Sequence, residues 1–318
     1  MNPLSVKNMT PHVRSMLTTS QIMFFVILAL LPSAGAGIYY YGLRTVLVMG
    51  VAVISAVGAE LLFELITRKP VTILDYSAAL TGFLVGLILP PGVPWYFPMI
   101  ASFVAIIPAK MLFGGIGRNL FNPALTGKLA LLVLFREQMQ DYSRGSYSAL
   151  TPLTQLVNGN TIDVRAMVFG DCAGCIGTGS VIAILAGAVF LLLLGVIDLL
   201  IPAAYLGTFL ILMSLFGGHG VDPAFLIAQT MGGCMLFTLF FMATDYSTSP
   251  VTIRGRIFYG ILLGILTALF RMGGIVENAC VFAVLIGNLA TPLIDRYAMP
   301  RPFGTKKRRR VIRISEDK

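Results

Sequence analysis

Apolar residues form long, continuous runs along most of this chain. A helix that crosses a bilayer needs about 20 mostly apolar residues. Hydropathy places ten candidate spans, at 21–40, 45–66, 72–90, 97–113, 119–135, 174–194, 199–216, 224–243, 257–272 and 276–294. Lipid offers no partner to backbone N–H and C=O groups, so a span must be a helix or part of a closed barrel. Because the runs do not alternate with polar residues, a barrel is excluded. The pattern predicts an all-α, polytopic transmembrane helical bundle of about ten spans.

Two stretches interrupt this pattern. Residues 79–94 and 170–180 are rich in Gly and Pro, which favour turns, kinks and breaks over regular helix. We therefore expect one or two of the spans to be half-helices or broken helices rather than full crossings.

The composition agrees with a membrane protein. The chain is 57% hydrophobic and 12% charged, whereas soluble domains carry about 25% charged residues. Its net charge of +9 could suggest nucleic acid, but a basic run at 306–310 follows the last span. Such a run is typical of a cytoplasmic anchor against anionic lipid, so no nucleic-acid partner is expected. Segment 1–20 is polar, and no small-residue cleavage site closes the first apolar run, so we expect no cleavable signal peptide.

The basic residues of the connecting loops predict an orientation. One side of the ten-span bundle holds Lys7, Arg14, Arg68, Lys69, Arg118, Arg254, Arg256 and the basic tail. The other side holds Arg44, Arg271 and the polar loop 136–167. Cytoplasmic loops carry the excess of Lys and Arg, so both termini are predicted inside and the loop outside. The chain then divides into a cytoplasmic amino-terminal segment (1–20), a first membrane half (21–135), the outer loop (136–167), a second membrane half (168–295) and a basic cytoplasmic tail (296–318).

A polar, glycine-rich segment at 114–124 is the first candidate site. Its glycines allow backbone to approach a ligand closely. Asn119 and Asn122 are three residues apart and would share one face of a helix. Two carboxamides can recognise the donor–acceptor edge of a planar heterocycle. Hydrogen bonding between membrane helices explains the same residues equally well, so both interpretations stay open.

A second candidate lies at the end of a predicted span, where Asp245 is followed by several hydroxyl side chains. An acid in this position suits an ion or ligand site. Asp, Ser and Thr are also ordinary helix-capping residues, and the sequence does not separate the two interpretations.

The cysteines and the loop hydroxyls give weaker signals. Taken alone, Ser148 and Thr151 belong to a turn before a proline. Cys172 and Cys175 form a C-x-x-C, for which small-residue packing is the simplest interpretation and a disulfide on the outer side the alternative. Two thiolates cannot complete a four-ligand metal site. Cys234 and Cys280 resemble buried, small apolar residues.

Several ionisable residues fall within or beside spans. They are Glu60, Glu64, Lys110, Lys128, Asp198 and Glu277. Ionisable groups inside a membrane are functional candidates by default, but several of these lie near predicted span ends, where a long side chain can reach the interface instead.

Several strings together resemble one known family. These are Pro11-His12, Thr81-Gly82 through Leu89-Pro90-Pro91, Ala109-Lys110 with Phe113-Gly114-Gly115, Gly117-Arg118-Asn119-x-x-Asn122-Pro123-Ala124, Phe241-Met242-Ala243-Thr244-Asp245 and Pro292-Leu293-Ile294-Asp295. In this order they resemble the family that contains the D subunit of the Rnf ferredoxin:NAD oxidoreductase and the B subunit of the sodium-pumping NADH:quinone oxidoreductase. The resemblance runs from about Ser20 to Asp295, and the short amino-terminal extension favours the Rnf type.

The resemblance implies two flavins. The family carries one covalent FMN on the last residue of a Ser/Thr-Gly-Ala-Thr motif, and the matching string here is Ser148-Ala149-Leu150-Thr151. Thr151 is therefore the expected anchor, in the outer loop, with Ser148 beside it. The family also implies a non-covalent riboflavin, for which the Asn119/Asn122 pair resembles the binding motif, and Arg118 beside it is a further candidate. Asp245 is expected to contribute from the second half.

The sequence departs from the family in two motifs. The middle Gly-Ala of the anchor motif is Ala-Leu here. The family's Gly-Ser-Ile-Gly-Glu pattern is Gly174-Cys175-Ile176-Gly177-Thr178. The missing carboxylate weakens any role of this second segment in handling cations.

The resemblance implies an electron-transferring subunit of a translocase in the bacterial cytoplasmic (inner) membrane, coupled to Na⁺ or H⁺ movement. The expected partners are an outer FMN subunit, membrane iron–sulfur subunits and a cytoplasmic NAD-binding subunit, with lipid around the bundle. The chain has no Gly-x-Gly-x-x-Gly after a strand, so it is not expected to bind NAD, and we expect neither a catalytic site nor a metal site of its own. The main alternative is a flavin-free transporter or channel for a small solute that uses the same bundle.

Overall fold

Apolar helices dominate the fold. A computed structural model describes residues 18–142, 150–160 and 162–299. The first half contains α1 (Thr19–Tyr41), α2 (Arg44–Thr67), α3 (Ser77–Ile88), α4 (Tyr96–Ile106) and α5 (Pro123–Leu134). Three short helices follow, α6 (Arg136–Met139), α7 (Pro152–Val157) and α8 (Val164–Phe169). The second half contains α9 (Val181–Leu193), α10 (Leu200–Phe216), α11 (Pro223–Met231), α12 (Met235–Phe241), α13 (Ile253–Met272) and α14 (Ala279–Ala298).

The predicted all-helical bundle is confirmed, with spans of unequal length. Four helices, α1, α2, α13 and α14, are each long and apolar enough to cross a membrane. The pair α11 and α12, bent by 55°, makes a fifth candidate. The other predicted spans correspond to shorter apolar helices, 77–88, 96–111, 123–134, 181–193 and 200–216. The count of about ten full spans therefore stays a prediction.

The Gly- and Pro-rich stretches break the helices where the sequence indicated. The 12-residue α3 is only about 18 Å long at 1.5 Å per residue, against about 30 Å for a bilayer core. Its last carbonyls are satisfied by the second stretch: Gly177 N donates to Leu87 O at 2.7 Å and Ile176 N donates to Leu89 O at 3.0 Å. Each broken segment thus supplies backbone hydrogen bonds that the other lacks.

Local chemistry fixes where the helices begin. Asn122 caps α5 through its side-chain oxygen, and Pro123 occupies the first turn, where no N–H is needed. Ser180 caps α9 and Thr252 caps α13 in the same way. After α4, a π-helical turn at Ile107–Met111 turns Lys110 into the protein.

Several charges within the spans are buried rather than directed to the interface. Lys110 is 2% exposed, and its Nζ lies 2.8 Å and 2.7 Å from the two carboxylate oxygens of Glu60. Glu64 and Lys128 are also buried. Snorkelling is therefore the wrong interpretation for these four residues. Asp198 is about half exposed and pairs with Arg256 at the surface.

The two halves meet closely where α9 crosses α1. A Cβ added to Gly187 of α9 would overlap the Ala29 carbonyl oxygen. We expect Gly187→Ala to force the helices apart and to cost about 1–3 kcal/mol of stability, the usual range for overpacking. Thermal unfolding in detergent measures the effect. Gly207→Ala in α10 is the control, because nothing lies within 4 Å of the added carbon; equal melting temperatures for the two variants would contradict this packing.

Candidate functional site

The first candidate site is a cleft at the amino-terminal end of α5, which we term the asparagine cleft. Its walls are apolar side chains of α1, α3, α9 and α12, among them Met23, Leu84, Leu191 and Phe240. Its polar lining consists of Ser77, Thr81, Lys110, Asn119, Asn122, Thr244, Asp245, Tyr246 and Ser247. The structure thus brings Asn119, Asn122 and Asp245 together, although the last lies more than 120 residues from the first two along the chain.

The two asparagines have different roles in this cleft. Asn122 Oδ1 accepts from the backbone N–H of Ala124 at 3.1 Å and of Leu125 at 3.4 Å, so this oxygen is used to cap α5. Asn119 Oδ1 is buried and has no hydrogen-bond partner in the part of the chain that the structure describes. An unpaired buried acceptor is costly, so the Asn119 amide is the group of this pair that is available to a ligand.

Asp245 serves the turn after α12 and also lines the cleft. Its carboxylate accepts from Ser247 Oγ at 2.8 Å and from Thr248 Oγ1 at 3.4 Å. Both interpretations of this residue, turn-forming and site-lining, are therefore compatible with the structure. Arg118 is exposed and is not part of the lining; its side chain folds back over Gly114.

The second candidate site is a groove of about 860 Å³ near the other end of α5. We term it the threonine groove. It is lined by Leu132, Val133, Arg136, Gln140, Tyr142, Leu150, Thr154, Val157, Gly274, Ile275, Val276, Glu277, Asn278 and Phe282. Residues of the predicted outer loop form one wall, and the connection between α13 and α14 forms the other.

Thr151 lies behind the wall of this groove and is 1% exposed. It caps the short helix α7, with Thr154 N donating to its Oγ1 at 3.3 Å. The Thr151 hydroxyl donates in turn to the Glu277 carboxylate. Ser148, the other predicted residue of this string, lies outside the described residues.

The Glu277 carboxyl is the ionisable group closest to Thr151. Burial raises its pKa to about 7, although the hydrogen bond from Thr151 acts in the opposite direction. Near neutral pH the group can therefore be either a neutral acid or an ionised acceptor.

A short repeat connects the two sites. Gly114-Gly115-Ile116 is followed by Asn119, and Gly273-Gly274-Ile275 is followed at the same spacing by Asn278. The first string lies between α4 and α5 and lines the asparagine cleft. The second lies between α13 and α14 and lines the threonine groove. Asn278 Oδ1, like Asn119 Oδ1, is buried without a partner among the described residues. The two sites therefore share a loop design that leaves one amide oxygen free.

The shared loops lie at opposite ends of one helix pair. Asn288 of α14 reaches the amino-terminal end of α5, where its amide lies beside the Asn122 backbone. Phe282 of α14 and Leu132 of α5 both line the threonine groove. The two helices are therefore antiparallel, and α5 runs from one site to the other.

The roles of two residues of the second site could not be predicted from the sequence. Glu277 is visible as a charge near a span, but its pairing with Thr151 is not, because 126 residues separate them. Asn278 gives no signal on its own. The repeated Gly-Gly-Ile-x-x-Asn string is the pattern that could have indicated it.

The fold and these sites define an integral membrane protein with two recesses that are lined in part by polar side chains. Comparison with known proteins gives the family. Residues 6–304 match the NQR2, RnfD, RnfE family. The chain belongs to this family.

Its relatives include the D subunit of the Na⁺-translocating ferredoxin:NAD⁺ oxidoreductase complex of Acetobacterium woodii, 36% identical over 96% of this chain and 98% of that protein. The D subunit of the proton-translocating complex of Clostridium ljungdahlii is 38% identical, over 94% and 96%. The D subunit of an ion-translocating oxidoreductase complex of Shewanella amazonensis is 34% identical, over 93% and 97%.

The Glu277 carboxyl makes the stability of the protein depend on pH. Its pKa in the fold, about 7, is above the ordinary value near 4.3. Between these values the unfolded chain binds fewer protons, so stability falls as pH rises from about 4 to 7. We expect Glu277→Gln to flatten this slope in thermal melts between pH 5 and pH 8. Glu137→Gln, on the exposed part of α6, should leave the slope of the wild type; an unchanged slope in the Glu277 variant would show that this carboxyl does not titrate as described.

Proposed function

We propose that the chain is the flavin-carrying membrane subunit, of the D type, of a bacterial ion-translocating ferredoxin:NAD⁺ oxidoreductase complex. Membership of the family and the names of three relatives that match nearly end to end support the assignment to such a complex. The proposal that the chain carries flavins rests on its own residues.

One observation carries the flavin assignment. Two loops of the same design each leave a buried asparagine oxygen without a partner among the described residues, Asn119 in the asparagine cleft and Asn278 beside the threonine groove. A buried acceptor that the protein does not satisfy is expected to be satisfied by something else. A planar heterocycle with N–H donors on its edge meets this need at both sites.

We assign the non-covalent riboflavin to the asparagine cleft. Its apolar walls suit a flat aromatic ring, and Asn119 Oδ1 would accept a hydrogen bond from an N–H at the ring edge. Asp245 and Ser247 on the opposite side offer partners for the hydroxyls of a ribityl chain. Asn122 would act indirectly, because its oxygen holds the start of α5.

We assign the covalent FMN to the threonine groove. The hydroxyl of Thr151 lies buried behind its wall, and Arg136 lines the groove as a cation for the phosphate. Glu277 loses the hydrogen bond from Thr151 when a phosphoester replaces the hydroxyl, since an ester oxygen cannot donate to it. The bound flavins would supply the redox chemistry, and the protein would hold and tune them.

The arrangement supports electron transfer across the bilayer. The tail and the asparagine cleft would face the cytoplasm, and loop 136–167 would face outward. The partners would be an outer FMN subunit, membrane iron–sulfur subunits and a cytoplasmic NAD-binding subunit. The coupled ion would be Na⁺ or H⁺. The relative from A. woodii is named for Na⁺ translocation and the relative from C. ljungdahlii for proton translocation.

The covalent flavin has a direct test. Protein produced with its flavin-attaching enzyme should show a fluorescent band that survives SDS, and Thr151→Ala should abolish it. Thr154→Ala is the matched control, because Thr154 lies one turn away and lines the same groove; it should keep most of the fluorescence. A non-fluorescent wild-type band, with no FMN-sized mass on the 145–165 peptide, would favour the flavin-free transporter.

The non-covalent flavin is tested by acid extraction of the native protein. We expect Asn119→Leu to lose riboflavin, at least about tenfold in affinity for one lost buried hydrogen bond and its unsatisfied partner. Arg118→Met should retain it, because Arg118 lies outside the cleft. The opposite result, with riboflavin lost only in the Arg118 variant, would support the sequence motif over the structure.

A further inference from the structure

A lysine and two cysteines form a cluster between the two sites. Lys128, in the middle of α5, is 0% exposed, and its Nζ lies 3.4 Å from Cys234 Sγ and 3.6 Å from Cys175 Sγ. The two sulfur atoms are 3.9 Å apart. The sequence motif suggested Cys172 as the partner of Cys175, but Cys172 Sγ instead contacts the Gly179 carbonyl at 3.9 Å.

The buried ammonium requires an anion close to it. A charge without a partner is very costly away from water. In residues 18–142, 150–160 and 162–299 no carboxylate forms a salt bridge with Lys128. Glu277 also interacts with Lys128 through its charge, but its carboxylate is engaged by the Thr151 hydroxyl. One of the two thiols is therefore the natural counter-ion, as a thiolate.

Cys234 is the better candidate for the thiolate. It is closer to Lys128, and the guanidinium of Arg271 also acts on it. Tyr142 packs against the sulfurs from the segment after α6. Glu277 and Cys280 also lie close enough to act on Cys234. Cys175 then keeps its proton and donates to the Cys234 thiolate.

A very small cavity adjoins the cluster. It is lined by Cys172, Cys175, Cys234, Glu277 and glycines of the two flanking segments, and its volume is about 10 Å³. This is room for roughly one water-sized molecule. Hydrogen peroxide is a small thiol oxidant, one oxygen atom larger than water, so this cavity must widen slightly to admit it.

We propose that Cys175 and Cys234 form a peroxide-oxidised, reversible dithiol site that Lys128 activates. The thiolate is the form of cysteine that attacks peroxide. The Cys234 sulfur would attack one peroxide oxygen and break the O–O bond. The leaving hydroxide would take a proton from the Lys128 ammonium, which gives a sulfenic acid, one water and a neutral lysine.

The second step closes the disulfide. The Cys175 thiol attacks the sulfur of the sulfenic acid, and its proton leaves with the hydroxyl as a second water. In total, one thiol, one thiolate, one ammonium and one peroxide give a disulfide, a neutral amine and two waters. The two sulfurs lose two electrons and the peroxide gains them. Oxidation therefore also discharges Lys128, which no longer has an anion to balance.

The flanking backbone allows the sulfurs to approach. Their 3.9 Å separation must fall to about 2.05 Å in a disulfide. Cys234 follows Gly232 and Gly233 at the break between α11 and α12, and Cys175 lies between Gly174 and Gly177. Neither cysteine lies within a regular helix. The N–H groups of Ile176 and Gly177 are bonded to the end of α3, so the approach must come mainly from the Cys234 segment and the two cysteine side chains.

Peptide mapping by mass spectrometry tests the proposal on the full-length protein in detergent. After treatment with hydrogen peroxide we expect a Cys175–Cys234 cross-linked peptide that a reductant removes. Cys172→Ser and Cys280→Ser are controls that should keep it, and Cys234→Ser should abolish it. In Cys175→Ser, which lacks the resolving thiol, a sulfenic-acid trap should label Cys234.

Lys128 is tested by rate. Lys128→Met should slow formation of the cross-link about 10- to 30-fold at pH 7, because an ordinary thiol is only a few per cent ionised there. Lys128→Arg keeps the positive charge that favours the thiolate but does not readily release a proton, so it should be faster than Lys128→Met and slower than the wild type; thermal melts confirm that each variant is folded. Four free thiols after peroxide treatment, or a Cys172–Cys175 cross-link instead, would overturn the proposal. The assay uses no flavin signal, so its outcome is independent of the function proposed above.

Discussion

The bilayer supplies no hydrogen bonds, and this constraint determines where polar groups occur in the structure. Each polar atom within the bundle must find its partner inside the chain. The broken segments illustrate the rule, since the end of α3 is satisfied by the backbone of residues 176 and 177. Lys110 finds its partner in the Glu60 carboxylate, and Lys128 contacts the sulfur atoms of two cysteines. Against this background, a buried atom without a partner is informative rather than incidental.

The unpaired amide oxygens follow from the same constraint. The loops before α5 and α14 carry the same Gly-Gly-Ile-x-x-Asn pattern, and both leave the asparagine oxygen unsatisfied by any described residue. A single such atom could be an accident of packing, but two in equivalent positions indicate a shared purpose. Asn122 and Leu132, which line the two sites, are ten residues apart on α5, so about 15 Å of helix separates them. One rigid element thus sets the distance between the two recesses.

The sequence predicted the bundle well because span formation depends on local apolar content. Each predicted span contains an apolar helix, and the Gly- and Pro-rich stretches are where helices break. Span length was harder to predict, since hydropathy does not show that α3 stops at Ile88 to accept hydrogen bonds from residues far along the chain. The strings around Asn119 and Asp245 were found because each is polar within an apolar context. Arg118 matched a motif, but its side chain points away from the cleft.

Pairings across long sequence separations could not be predicted. Thr151 and Glu277 are 126 residues apart, and Cys175 and Cys234 are 59 apart. No local pattern encodes either contact. The C-x-x-C illustrates the problem, because spacing suggested Cys172 as the partner of Cys175 whereas packing selected Cys234. The repeated glycine string was visible, but its meaning depended on knowing that both copies border a recess.

The burial of Thr151 places a physical condition on any modification there. Its hydroxyl is hidden and donates to Glu277, so a reagent must first displace the wall of the groove. A phosphoester at this position brings a negative charge beside the carboxyl, and two like charges in a poorly solvated site destabilise each other. The conflict is removed if Glu277 is protonated, and burial has already raised its pKa to about 7. An added phosphate would raise it further. Glu277 is therefore suited to be an ionised acceptor before modification and a neutral donor afterwards, which stabilises the groove in both states.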